Sequence, residues 1–424
     1  MKFPFGLIRS VISLGIGEVF ARFLSFLFLA YISRKFGVGL LGAVALAQTA
    51  SMYVTAGTDQ GAKWVGARII ARHPSQAPVV IHLLTRMRVI TGGIFVAAGA
   101  CYALFGPLPE SARIYVLGFV LAVIPYALTL DWLAWGLGYL GWLATWRAVV
   151  ALIFVGGAVL ALELHLNTVL SIVLSNGVSS VAGAILLWSL WRYKWQSKIL
   201  SAENGHKELQ IDQELRWRST LPLGIALMLS QLFQNLDTML LGAMSTANEV
   251  GRYNGAYRIL MVAFGGYYVL TQSLYPRFAG AKFNQDTIKY LFAAVAVVFL
   301  SGALLAGCLA VYAGEVLKFI YGSDLGAVSI FRVLAMAIPM EFASSLMGVM
   351  LSSRGFDRKV LLVTAIAAAL NLILNLIAIP QSQAFGAAWA TVVSYIVLTC
   401  GLLLSVWFAS CHETKLSLVV STEI

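Results

Sequence analysis

Charge is scarce in this chain. Asp, Glu, Lys and Arg make up only 11% of its 424 residues, against roughly 25% in a soluble domain. A water-soluble body of this size would lack a polar coat. Cysteine is also sparse: Cys101, Cys308, Cys400 and Cys411 form no close pair, and three fall in apolar runs where Cys packs as a small hydrophobe, so no disulfide framework is expected. His73, His82, His165, His206 and His412 are scattered without metal-ligand spacing. There is no Gly-rich phosphate loop and no serine nucleophile motif. Catalytic residues, cofactor and metal are therefore all expected to be absent, and ATP is not the expected energy source. No outward loop exceeds about 15 residues, which disfavours a membrane polymerase or ligase, whose chemistry needs a sizeable polar loop.

What is present is apolar length. Hydrophobic residues reach 60% and the mean hydropathy is +0.86. Twelve membrane spans are predicted at about 8–32, 40–58, 79–105, 111–136, 142–163, 168–191, 219–244, 253–275, 290–313, 328–352, 360–379 and 385–408, each near the ~20 residues that cross a bilayer core. The net charge of +11 suggests nucleic acid only until the cations are placed. They gather in short segments between apolar runs, so they are topological charges and no nucleic-acid partner is expected. Lys63, Arg68, Arg72, Arg277, Lys282, Arg354, Arg358 and Lys359 lie on the N-terminal side, which the positive-inside rule places in the cytoplasm with both termini. Arg34 and Lys35 are exceptions. Span 1 is too long, and with Glu18 and Arg22 too polar, for a cleaved signal.

A mixed-charge segment near 192–218 divides the chain. The expected organisation is an N-terminal six-helix bundle (1–191), a cytoplasmic linker (192–218), a C-terminal six-helix bundle (219–408) and a cytoplasmic tail (409–424). A faint repeat accompanies the division: Leu40–Ala47 and Glu249–Ala256 open spans 2 and 8 with a Gly and then an Ala at matching places, and the same offset relates Arg68 to Arg277.

The ionisable groups singled out inside spans are Glu18, Arg22, Asp131, Arg147, Asp237, Arg258 and Glu341. A lipid-facing charge at such depth is costly, so each calls for a partner or a wet path. Glu18 and Arg22 stand one helical turn apart, either as a structural ion pair or as a functional face. Gln231, Gln234, Asn235 and Thr238 form a polar stripe on span 7 with Asp237 beside it, suited to interhelical bonding or to an ion-coupling site. Arg258 sits among Tyr253, Asn254 and Tyr257. Its forked donors suit phosphate oxygens and the tyrosines suit sugar faces, while snorkelling to the outer interface is the plainer alternative. Asp131 near Pro125 and Glu341 near Pro339 are expected in kinked spans.

Several runs carry a family resemblance. Asn371-Leu-Ile-Leu-Asn375-Leu-Ile-Ala-Ile-Pro380, Phe385–Thr391, Asp237 in Asn-Leu-Asp-Thr-Met-Leu-Leu-Gly, Val250–Arg258 and Leu274-Tyr275-Pro276 resemble the polysaccharide (oligosaccharide) flippases, the Wzx-type branch of the superfamily that includes MurJ and the MATE exporters. The resemblance implies an all-α integral membrane protein, with twelve transmembrane helices in two six-helix bundles around a central cavity. It also implies a bacterial inner-membrane location and transport of an undecaprenyl-pyrophosphate-linked oligosaccharide, with membrane lipid and a polysaccharide polymerase and other assembly proteins as partners. Arg22, Arg258, Tyr257, Gln231, Gln234 and Asn235 are the expected substrate-binding residues. Glu18, Asp237 and Glu341 are the expected sites for H+ or Na+ coupling. The family's cavity is typically cationic, whereas among the ionisable groups singled out here the carboxylates slightly outnumber the arginines. A MATE-like exporter of small organic cations is the rival reading.

Overall fold

The computed structural model describes residues 5–196, 234–280, 285–354 and 356–422. Gln231, the side chain of Glu18, the side chain of Arg277 and the linker from residue 197 onward lie outside the described residues. Those described are helical, with no strand among them. Among the described residues eight stretches are long and apolar enough to cross a membrane, and one of these, Asp357–Phe408, carries spans 11 and 12. The expected all-α membrane architecture is borne out.

The chain divides into two compact units, Met1–Ala243 and Met244–Ile424. In the first, six spans come from α1 (Phe5–Phe36), α2 (Val38–Asp59), α4 (Ala77–Phe105), α5 (Glu110–Leu121) with α6 (Val123–Ala127), α8 (Leu140–Glu163) and α9 (Thr168–Leu190). The short helices α3 (Ala62–Arg72) and α7 (Asp131–Gly136) lie on the side where α2 ends, and a π-turn, Trp191–Trp195, prolongs α9. The end of span 7 is a helix over 234–244, here α10.

Lipid tails are as apolar as Leu, so these helices associate through close contact rather than escape from water. Small residues set the distance. A Cβ on Gly17 would stand 2.7 Å from the Ala144 backbone, so α1 and α8 meet nearly backbone to backbone. Below that contact Phe28, Leu29 and Ile32 are fully buried, and Phe28 meets Phe154 of α8 edge to face at 5.1 Å. Gly37, at φ 86, makes the one-residue turn between α1 and α2, a left-handed conformation that favours glycine. Gly242 brings α10 against Leu46 of α2 in the same way.

In the second unit α11 (Ala247–Gly280), α12 (Gln285–Val311), α14 (Val328–Ala335) with α15 (Ala337–Ser353), and α16 (Asp357–Thr422) form the spans, with α13 (Ala313–Tyr321) a short surface helix. Ser382 and Gln383 break α16 into two limbs, the predicted spans 11 and 12. Span 10 breaks at Met336, just before Pro339, because proline cannot supply the amide that a continuous helix needs. Gly302 of α12 fits against the Pro339 backbone. α2 and α11 open at Val38 and Ala247, in keeping with the offset that relates Leu40 to Glu249.

Span 4 requires a correction. Asp131 was expected within a kinked helix over 111–136, but the helix ends at Ala127 and Asp131 opens α7 beyond it. The break interrupts the regular helical donors, and side chains from other helices reach three of the carbonyls there. Arg88 donates to Thr129 O at 2.7 Å and Tyr126 O at 3.3 Å, and Trp188 Nε1 donates to Leu128 O at 2.8 Å. Irregular backbone at the edge of hydrocarbon persists only where it is satisfied in this manner.

Candidate functional site

The residues expected to bind substrate fall in both units. On α1, Arg22 is exposed along with Val19, Phe20, Phe23 and Leu27. α10 turns its polar stripe through a gradient: Gln234 is exposed, Asn235 half-buried, and Asp237 and Thr238 are buried. The stripe is therefore not one uniformly wet face. Gly242 packs on Leu46 of α2, and Asp237 lies within electrostatic reach of Tyr53 on the same helix. The Tyr53 hydroxyl is buried and makes no hydrogen bond among the described residues.

In the second unit α11 carries Tyr257 and Arg258, both half-buried. Tyr257 stacks on Tyr253 with ring centroids 5.6 Å apart and planes 15° from parallel. Tyr253 is fixed in turn, its hydroxyl 3.0 Å from Thr391 Oγ1. Asn254 bonds back to Val250 O at 3.0 Å, which turns its amide into its own helix. Tyr321 donates to Gly255 O at 2.9 Å and places its ring near Arg258. Arg258 thus stands near Tyr321 on the helix that carries the Tyr253–Tyr257 stack, and Tyr253 and Tyr321 are each held by a hydrogen bond. This stretch of α11 carries a cation and aromatic faces together.

Glu341 is half-buried on α15. Ser344 Oγ lies 3.4 Å from its Oε2, and Tyr267 of α11 lies within its electrostatic range and stacks on Phe342 at 4.0 Å. Thr271 and Ser345 pair at 3.3 Å nearby on the same two helices. A carboxylate among hydroxyls in an apolar surround is equipped to hold a proton or a small cation. Sequence reading named Glu341 but passed over Thr271, Ser344 and Ser345, because single hydroxyls in apolar helices carry no periodic signal. Among the described residues no group of three or more His, Cys, Asp or Glu side chains could hold a metal ion.

A second polar constellation was missed altogether. Arg88 of α4, only 1% exposed, bonds Asp59 at 2.9 Å and lies 3.9 Å from Asp131, which in turn takes Lys63 of α3 at 2.6 Å. Tyr126 donates to Asp59 Oδ2 at 3.0 Å, and Thr129 to Asp131 Oδ1 at 3.2 Å. Two cations and two anions form a neutral network joining α2, α3, α4 and the broken end of span 4. Burial pushes the Asp131 carboxyl up, but Lys63 and Arg88 beside it outweigh this and hold it at about 2. The available signal was Arg88 itself, inside an apolar run that should contain no charge without a partner.

No curated protein matches in sequence. Among solved structures the chain is similar to an inward-facing multidrug resistance MATE family transporter of the MOP superfamily (TM-score 0.67, 15% identity, 96% of this chain and 99% of that one). It is also similar to the lipid II flippase MurJ in an inward closed conformation (0.66, 14%, 93% and 87%). A third similar structure is a MOP superfamily transporter from Pyrococcus furiosus Vc1, described by the reversed polarity of its binding pocket (0.59, 14%, 97% and 96%). At these identities the likeness concerns the fold. Residues 7–282 match the family model described as polysaccharide biosynthesis protein, and with most of the chain so matched, in agreement with the residue-level resemblance, the protein belongs to that family.

Proposed function

We propose that the protein is a flippase that carries a polyprenyl-pyrophosphate-linked oligosaccharide repeat unit from the cytoplasmic to the periplasmic leaflet of the bacterial inner membrane, by alternating access, for surface polysaccharide assembly. The observation that carries this reading is the family match over 7–282, supported by a fold shared with a lipid II flippase. The physical need is plain. Sugar hydroxyls and a pyrophosphate entering hydrocarbon would lose water with nothing in exchange, so the protein must offer replacement partners while the polyprenyl tail stays in lipid.

In this reading Arg22 and Arg258 bind the pyrophosphate, Tyr257 stacks on sugar, and Gln231, Gln234 and Asn235 line a hydrated path. Glu18, Asp237 and Glu341 are the coupling groups for H+ or Na+. The Tyr253–Tyr257 stack on the helix of Arg258, with Tyr321 near it, supports the first role, and the hydroxyls around Glu341 support the second. The buried carboxyl of Asp237 favours one rival, a MATE-like exporter of small organic cations.

Cells lacking the protein should accumulate lipid-linked repeat units accessible only from the cytoplasmic face. Wild-type protein should restore surface glycan, while Arg258→Ala should cut the export rate about tenfold at normal protein level, the worth of one charge-assisted contact. Undiminished glycan export without the protein, together with dye-cation efflux that depends on Asp237, would transfer the assignment to the exporter.

A further inference from the structure

α3 has eleven residues, about 16 Å of helix, too short to cross the membrane. It connects two spans on one side. Its inner face, Ala62, Val65, Gly66, Ile69 and Ile70, is buried in the core that also holds Trp132. Its outer face presents Trp64, Arg68 and Arg72 at successive turns, all exposed. Like charges one turn apart repel, and α3 contains no acid. Within this unit the described acids on the same side are Asp59 and Asp131, and both are already held by Arg88 and Lys63. Arg68 and Arg72 therefore meet no described anion of their own unit.

The rim beside them is aromatic. Trp64 rests edge to face on Trp135 at 4.4 Å, and Lys194 lies 4.2 Å over the Trp142 ring, with Arg192 and Tyr193 exposed next to it. Eight of the 11 tryptophans belong to this end of the unit, in its core, on its rim or at the broken end of span 4. Indole rings favour the headgroup level of a bilayer, and unneutralised cations there attract anionic headgroups. We infer that this rim is a binding surface for anionic phospholipid headgroups of the adjoining leaflet, with Arg68 and Arg72 forking onto their phosphate oxygens. The inference does not depend on what the protein transports.

The tryptophan concentration supplies a local readout. The full-length protein is placed in phosphatidylcholine bicelles, and either brominated phosphatidylglycerol or brominated phosphatidylcholine is titrated in as tryptophan quencher. The anionic quencher should act at a lower mole fraction in wild type. Arg68→Gln/Arg72→Gln should raise its midpoint by about fivefold per cation removed, Arg72→Gln alone by one such step, and Arg68→Lys/Arg72→Lys should keep most of the preference. An unchanged thermal unfolding curve certifies the fold of each variant, and Arg72→Gln decides the matter if the double variant unfolds. Equal quenching by both lipids in wild type overturns the inference, as does a preference that survives in the glutamine variants. A preference that emerges only after Glu203, Glu208, Asp212 and Glu214 are replaced by Gln would assign the face to the linker instead, and would overturn it equally.

Discussion

The two ends of the first unit carry ionic clusters of similar composition and opposite setting. At one end Lys63, Asp131, Arg88 and Asp59 are joined inside the protein, with Arg88 1% and Asp131 2% exposed. At the other, Lys35 meets Glu163 at 2.8 Å with Tyr31 between them, yet their side chains are 32% and 53% exposed. The distances are alike, so distance does not separate the clusters. What differs is how much water each charge gave up, and how many hydrogen bonds replaced it. Arg88 spends its donors on two backbone carbonyls as well as a carboxylate, so it closes a broken helix and an ion pair together. The exposed pair links only the ends of α1 and α8, which Gly17 and Ala144 already hold in contact.

Removing the hub of the buried network is expected to have the largest effect. Arg88→Met should destabilise the protein by about 3–5 kcal/mol, because it strands Asp59 and takes from the Thr129 carbonyl its side-chain donor. The check is thermal unfolding in detergent, followed by tryptophan fluorescence. Adding Asp59→Asn to Arg88→Met should recover part of the loss, since it removes the stranded charge. A simple sum of two losses would show that Arg88 acts through its backbone bonds alone.

The difference between the clusters also explains how far the sequence could be read. The spans were legible because apolar length is a local property, as at Asp357–Phe408, where only the break at Ser382 and Gln383 interrupts the run. The proposed role of Arg258 with Tyr257 could be written from the sequence because the two are neighbours on one helix. The buried network was not, because Asp59, Lys63, Arg88 and Asp131 come from separate helices and nothing in their spacing predicts that they meet. The break in span 4 was hidden for the same reason: Pro125 announces a kink, but whether the chain bends or stops depends on donors that Arg88 and Trp188 bring from elsewhere.

An intermediate effect should follow from acid. The Asp131 carboxyl lies beyond the end of span 4 and is held at about 2 in the folded protein, against about 3.9 when unfolded. A depressed carboxyl contributes its full stabilisation above the unfolded value and loses it as pH falls through the folded one. The unfolding temperature of wild type should therefore drop between about pH 4 and pH 2 more steeply than that of Asp131→Asn, which has no proton to take up at this position. Parallel curves would mean that Lys63 and Arg88 do not discriminate between the charged and neutral carboxyl.

The smallest effect belongs to the exposed pair, and it tests the comparison most directly. Glu163→Gln removes the charge that Lys35 faces but keeps an oxygen for Tyr31. Both Lys35 and Glu163 are reached by solvent, so salt screens their attraction and ordering two long side chains offsets much of what is left. Little change in unfolding temperature is expected for Glu163→Gln at physiological ionic strength, and what change exists should vanish in high salt. The buried network should be nearly indifferent to salt, because ions cannot enter to screen it. A loss for Glu163→Gln comparable with that for Arg88→Met would mean that burial is not what sets the strength of these clusters. The contact between α1 and α8 would then depend on the ion pair rather than on the close approach at Gly17.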